Sequence, residues 1–328
     1  MSDPGRRFSG LLLALAAALV AAAASLAVGT RTVPLDEVVR AFTDYAATDD
    51  HIVVRDLRLP RMWLGIAVGA ALAVSGALVQ TLTRNPLAEP GILGVTAGAS
   101  FAILLATALW QADAQAAQLV AAAVGALAAT AVVYAVGGSS PLRLVLAGVA
   151  LSAVLGGLGL GIRLALPDVF DDYRFWSVGS LAGRDQVPLE LPLLVIAVGL
   201  AAALLLVPPL DAMLLGDEVA HTQGTRVART RTITLVVLTV LAAAATAIAG
   251  PILFVGLIVP HLVRRLTAGS VGWLLAYCVV LGPVLILVSD VVARLLLPTG
   301  EVPVAVVTAF VGGPVLIWVV RRYGAVDP

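Results

Sequence analysis

Apolar runs about 20 residues long recur along the whole chain, and each is long enough to cross a roughly 30 Å hydrocarbon core as a helix. They fall near 9–29, 61–83, 92–110, 116–136, 142–166, 189–207, 232–249, 271–297 and 304–320. A further candidate, 252–268, is short and ends in His261, Arg264 and Arg265, so taken alone it reads as re-entrant. In lipid, backbone polar groups must be satisfied within the segment, which makes helix the default for such runs. The residues are 60% hydrophobic and 12% charged, about half the charge of a soluble domain. The fold class expected is therefore an all-α integral membrane protein.

Charge sets the orientation. Arg6 and Arg7 precede the first run, and Arg321 and Arg322 follow the last. Positive-inside logic puts both termini in the cytoplasm, which requires an even number of crossings. That favours ten spans, with the short segment counted. The inner side then collects Arg6, Arg7, Arg84, Arg143, Arg226, Arg229, Arg231, Arg264, Arg265, Arg321 and Arg322 against Asp3, Glu89, Asp211, Asp217, Glu218 and Asp327. The N-terminal GRRFSG and its apolar stretch also resemble a signal peptide, but the run is near full span length. Formal charge is zero, which gives no hint of nucleic acid. All 20 basic residues are arginines; a phosphate-binding P-loop needs a lysine, so this chain is expected not to bind ATP itself. Cys278, alone in an apolar run, reads as a buried thiol. His51, His221 and His261 fall in separate segments, so no metal site is expected.

One compact polar segment, GDEVAHTQGTRVARTR at 216–231, interrupts the apolar pattern on the inner side. Asp217 and Glu218 suit the first turn of a short helix, where they complement its dipole, and Gly224 is placed to end it. A solvated amphipathic loop is the alternative. Small residues at four-residue spacing (Gly65 and Gly69, Gly94 and Gly98, Gly157 and Gly161) permit close helix approach in lipid. A faint echo relates AVSGALVQTLTRNP (73–86) to AIAGPILFVGLIVP (247–260), in the manner of an inverted repeat. Asn85-Pro86 and Pro90-Gly91 are helix-break signals. An ion-coupled secondary transporter would need acids at membrane depth, and its candidates Glu89, Asp290 and Glu301 fall at span ends.

The segment LRLPRMWLGIAVGAALAVSGALVQTLTRNPLAEPGILGVTAGAS (57–100) resembles the signature of the FecCD-type permeases. These are the membrane subunits of ABC importers for iron–siderophores, haem and vitamin B12. The resemblance recurs in order at LRLVLAGVALS (142–152), FWSVGSLAG (175–183), LGDEVAHTQG (215–224) and GPILFVGLIVPHLVRRLTAG (250–269). It recurs again at SDVVARLLLPTGEVPVAVVTAFVGGPVLIWVV (289–320), and so covers nearly the whole chain.

That resemblance implies a type II ABC importer permease: one transmembrane domain over 1–328, in a bacterial cytoplasmic membrane, carrying a ferric siderophore, or alternatively cobalamin or haem. Its partners would be a second permease copy or paralogue, two ABC ATPase subunits holding ATP and Mg, an extracytoplasmic binding protein and lipid. No cofactor is expected on this chain. Leu215, Gly216, Asp217, Glu218, Ala220, His221, Gln223 and Gly224 match the helix that couples the permease to its ATPase. The family usually has leucine where Gln223 stands and a basic residue where His221 stands. Ala268, Gly269 and Ser270 replace a polar stretch common in relatives. Arg58, Arg61 and Arg294 match arginines that meet acidic knobs on the binding protein. Local alternatives are an interfacial anchor for Arg61 and, for Arg294, an ion pair with Asp290 at helical spacing. Ala147, Gly148, Val149, Leu151 and Ser152 fall on the fifth span, expected to line the passage, with Arg163 near its outer end. Asn85, Pro86, Pro90, Gly94, Pro260 and His261 complete the motif set.

Overall fold

The computed structural model describes residues 4–111, 114–138, 141–166, 176–183, 188–267, 269–297 and 300–323. Phe175, Ala268, Pro298 and Thr299 of the sequence motifs lie outside them, as do Asp3 and Asp327 of the charge count. All regular structure among the described residues is helical. The order is α1 (Pro4–Ala27), α2 (Leu35–Thr43), α3 (Asp49–Ile52), α4 (Leu59–Thr83), α5 (Val95–Trp110), α6 (Gln115–Gly137) and α7 (Pro141–Ala165). There follow α8 (Glu190–Leu205), α9 (Val207–Leu214), α10 (Asp217–Thr222), α11 (Val227–Ala249), α12 (Val255–Thr267), α13 (Val271–Leu295) and α14 (Val304–Tyr323).

Six of these are long and apolar enough to cross a membrane, or seven if α8 and α9, bent by 47° at Leu206, make one span. The helices α5 and α14 are apolar but shorter. Two expected spans are cut short for a physical reason. The third opens not at 92 but at Val95, because Pro90–Leu93 forms a single 3-10 turn and Gly94 takes φ 76°. In the short segment near 252–268 the helix begins only at Val255, since Gly250 and Pro251 hold the chain off helix until Phe254.

At the centre stands α4, against which α13, α11 and α12 pack. Its glycines make this possible. A Cβ on Gly69 would lie 2.5 Å from the Gly282 carbonyl oxygen of α13, and one on Gly76 would lie 1.9 Å from that of Gly256 on α12. Bare backbone therefore meets bare backbone, which maximises dispersion contact where lipid offers no hydrophobic drive. Ser75 Oγ donates to the Leu238 carbonyl at 2.7 Å, tying α4 to α11 without leaving its hydroxyl unpaired. Elsewhere Gly98 of α5 meets Gly125 of α6. The echoing stretches 73–86 and 247–260 thus touch, at Gly76 and Gly256. By contrast α7 leaves most of its surface bare: Leu142, Leu146, Val149, Val154, Leu158, Leu160 and Leu164 are all more than half exposed.

Candidate functional site

Because α4 is one 25-residue helix from Leu59 to Thr83, Arg61 at its start and Arg84 just past its end mark opposite ends of the bundle. Each end carries an ion network.

At the Arg84 end, the polar segment folds as a single short helix, α10, between glycines. Gly216 enters at φ 108° and Gly224 closes at φ 81°, backbone that side chains rarely adopt. Gly224 N–H donates to the His221 carbonyl at 3.0 Å and Thr225 N–H to that of Ala220 at 2.9 Å, using up free carbonyls of the last turn. Ala220 is fully buried, whereas Leu215, Glu218, Val219, His221, Gln223 and Gly224 are exposed. The helix thus rests on Ala220, with Asp217 turned inward beside it, and presents the other side chains. Asp217 points back into the bundle. Its Oδ1 accepts from Arg84 Nη2 at 3.0 Å and its Oδ2 from Arg231 Nη2 at 2.7 Å. The same Arg84 Nη2 reaches the Met213 carbonyl at 2.9 Å. The sequence reading gave Asp217 only its own helix dipole; its two arginine partners were missed, Arg84 being 133 positions away. Asp211, also missed, accepts from the first N–H of α13, at Val271, at 2.8 Å.

At the Arg61 end, Asp290 is the hub. Arg61 Nη2 lies 2.7 Å from Asp290 Oδ1, Arg61 Nη1 lies 2.7 Å from Glu301 Oε2, and Arg294 Nη2 lies 3.1 Å from Asp290 Oδ2. Arg294 also donates to the Ser25 carbonyl at 3.0 Å, and Arg58 to the Leu26 carbonyl at 2.7 Å and to that of Arg31. These arginines therefore fasten the end of α1 to α4 and α13. Arg58 and Arg294 are only 7% and 3% exposed. The local Asp290–Arg294 pair is formed. All three arginines line a cleft of about 300 Å³ together with Gly29, Arg31 and Glu301. The sequence named Arg58, Arg61 and Arg294 but did not place Arg31 or Glu301 beside them.

The fifth-span residues divide. Gly148 is buried where a Cβ would lie 1.7 Å from the Ile92 carbonyl oxygen of the 3-10 turn, and Leu151 faces Gly94. Ala147 and Ser152 are half-buried, and Val149 faces outward. Arg163 Nε donates to the Gly159 carbonyl of its own helix at 3.2 Å. Asn85 Oδ1 accepts from Leu87 N–H at 2.9 Å and shapes the turn after α4, Pro86 is half-buried and Pro90 opens the 3-10 turn. Pro260 is buried inside α12 with His261 beside it, half-buried. Among the described residues no three His, Cys, Asp or Glu side chains are grouped to hold a metal ion. Each acid weighed for ion coupling is engaged: Asp290 and Glu301 by arginines, Glu89 by the Phe254 N–H at 2.6 Å.

Comparison with known proteins agrees with this architecture. The chain is 47% identical over 318 residues to the ferric enterobactin transport system permease protein FepD of Escherichia coli, covering 95% of this chain and 94% of that protein. It is 35% identical over 309 residues to a siderophore transport system permease, YfiZ, of Bacillus subtilis, covering 93% of each. Its fold superposes with a TM-score of 0.79 and 29% identity on an inward-facing ABC transporter assigned to the metal-chelate type, over 98% of this chain and 100% of that one. Residues 15–322 match the model of the FecCD transport family, and the chain belongs to that family.

Proposed function

We propose that the whole chain, 1–328, is the permease subunit of a bacterial ABC importer that moves a ferric siderophore into the cytoplasm. The observation that carries this reading is α10: a short helix pinned from behind by Arg84 and Arg231, with its other face bare. Such a helix is a surface for another protein to grip, and the arginine pairs make what grips it act on the bundle. In this reading the Arg84 end faces the cytoplasm and two ATPase subunits. They hold ATP and Mg and do the hydrolysis; this chain makes no bond and holds no cofactor. Nucleotide then shifts the bundle between outward- and inward-facing states by binding them differently.

Ten crossings with both termini cytoplasmic follow if α5, α12 and α14 complete the set begun by the longer helices. The bare apolar face of α7 fits a second permease copy across a shared passage, with Val149 exposed on it, Ala147, Ser152 and Arg163 at its margin, and Gly148 and Leu151 turned to the bundle behind it. At the opposite end an acidic knob of a binding protein would enter the cleft over Arg58, Arg61 and Arg294 rather than meet them on a flat surface, and exchange places with Glu301 on Arg61. Complementary charge of this kind steers the encounter and sets its register. The ferric siderophore is supported by the names of the relatives, 47% identical in the case of ferric enterobactin.

The test is uptake in the native host with and without the gene, with radioiron-labelled ferric enterobactin, haem and labelled cobalamin in parallel. Loss of ferric enterobactin uptake, restored by the intact gene but not by an inserted version with 215–224 scrambled, is the expected result. Full transport by the scrambled version sinks the coupling role, and dependence on haem or cobalamin alone replaces the cargo.

A further inference from the structure

The turn between α4 and α5, residues 84–94, touches three separate parts of the molecule. At its first residue, Arg84 is bound to Asp217 and to the Met213 carbonyl. In its middle, Glu89 Oε1 accepts from Phe254 N–H at 2.6 Å. At its end, the Ile92 carbonyl abuts Gly148 and the open side of Gly94 faces Leu151, both on α7. The turn is itself closed by short-range bonds, from Ala88 N–H to the Asn85 carbonyl at 3.1 Å and from Ile92 N–H to that of Glu89 at 3.0 Å. It is a small stiff body rather than a slack loop.

The middle contact has an unusual partner. Phe254 sits at φ 71°, a left-handed backbone that a bulky aromatic residue adopts only under constraint. Its carbonyl accepts from Leu257 N–H at 3.1 Å and from Ile258 N–H at 2.8 Å, so it begins α12. The Glu89 carboxylate therefore caps the N-terminus of α12 from a distant part of the chain, where the helix dipole favours negative charge. The first turn of α12 is itself immobilised on α4: Gly256 abuts Gly76, and Gln80 Nε2 donates to the Gly256 carbonyl at 3.0 Å. The middle of the turn is thus fixed to the bundle core, while one end meets the coupling helix and the other meets α7.

We infer that Glu89 is the pivot of a lever formed by residues 84–94, through which displacement of α10 at Arg84 moves α7 at Gly148. A body held at its middle swings its ends together; with the pivot released, displacement at Arg84 is absorbed within the turn. This rests on the reading of α10 as the coupling helix. Glu89 is a positioning residue: it acts through Phe254 and need not touch the cargo.

The test uses the permease assembled with its own ATPase and binding-protein partners, and compares wild type with Glu89→Ala and Glu89→Gln. Gln keeps an oxygen to accept from Phe254 N–H; Ala does not. The first readout is hydrogen–deuterium exchange in the detergent-solubilised complex with and without ATP and Mg, which needs no cargo. In wild type and E89Q, nucleotide is expected to change exchange in α10, in 84–94 and in the first half of α7 together; in E89A the change stops at Arg84. The second readout is ferric enterobactin taken up per ATP hydrolysed in proteoliposomes. It is expected to fall about tenfold in E89A, within the range of coupling between distant sites, while E89Q stays near wild type. An E89A complex with wild-type exchange response and wild-type ratio overturns the pivot. So does a loss of uptake and ATP hydrolysis in equal proportion in both variants, which marks a merely structural role. If E89A does not assemble, Glu89→Asp, one methylene too short, is read in the same way. A wild-type complex that responds to nucleotide but takes up no ferric enterobactin refutes the cargo proposed above, and the exchange result still decides the pivot.

Discussion

The helices α4 and α7 are both 25 residues long and both apolar along their length, yet 83% of the apolar window in the span of α4 is buried and only 11% of that in α7. Each carries glycines at four-residue spacing. On α4, Gly65 faces Leu287 and Gly69 faces the backbone of Gly282; on α7, Gly157 and Gly161 have nothing within 4 Å of an added Cβ. Small residues on one helix are a packing surface already used, and on the other a surface left open. Hydropathy responds to lipid, protein interior and an uncovered subunit face alike, because all three are apolar. What separates them is whether a neighbour's backbone is there.

This contrast can be broken most directly at the glycines. Gly76→Val places a Cβ against the Gly256 carbonyl oxygen, 1.9 Å away and on backbone that cannot rotate aside. No folded permease should be recovered from membranes in mild detergent, whereas Gly157→Val should be recovered at the wild-type level. Equal recovery of the two would end the distinction between the helices.

A second, smaller effect sharpens the role of the ion network at the start of α4. Asp290→Ala leaves the buried guanidinium of Arg294 and the mostly buried one of Arg61 without their shared carboxylate. Removing one partner of a buried ion pair costs about 3–5 kcal/mol, to be read as a lowered unfolding midpoint in detergent. An unchanged midpoint would mean that water or Glu301 compensates fully.

On α7 the expected change is in association. Leu158→Arg, on a side chain 55% exposed, should leave the monomer's unfolding midpoint in place. It should weaken pairing of two permease copies at least tenfold, about 1.4 kcal/mol, measured by analytical ultracentrifugation in detergent. A dimer that ignores this charge does not use that face. The smallest stability effect belongs to Asp217→Ala, whose partners are about half exposed; pairs of that kind contribute about 1 kcal/mol or less. A large fall in unfolding midpoint would show that α10 is part of the core rather than a handle on it.

Much of the fold was legible because membrane burial is a property of each segment alone. Runs of apolar residues marked the helices within a few positions, and Asn85-Pro86 and Pro90-Gly91 marked the break after α4, whereas the break at Gly250-Pro251 was not singled out. The site was legible in part. Asp217, Glu218 and Gly224 suited a short capped helix, with a solvated loop as the alternative until the family resemblance favoured the helix, but Arg84 and Arg231 as the partners of Asp217 did not follow from spacing. Arg58, Arg61 and Arg294 were identified through family resemblance; the Asp290–Arg294 pair was legible from its helical spacing, but the joining of Arg61 to Asp290 was not. Glu89 was noted as an acid at a span end, with nothing to connect it to Phe254, 165 positions later.

The sequence by itself determined that this is a helical membrane chain of the FecCD family with one compact polar segment, because hydropathy, helix breakers and motif order are written locally. Only the tertiary structure decided which apolar helix is the core and which is open. It alone joined Arg61 to Asp290, 229 positions apart, and Glu89 to the start of α12. Ion pairs and backbone contacts depend on which residues the fold brings within a few ångströms, and in lipid, where every helix is equally apolar outside, only shape and those few polar bonds choose the neighbours.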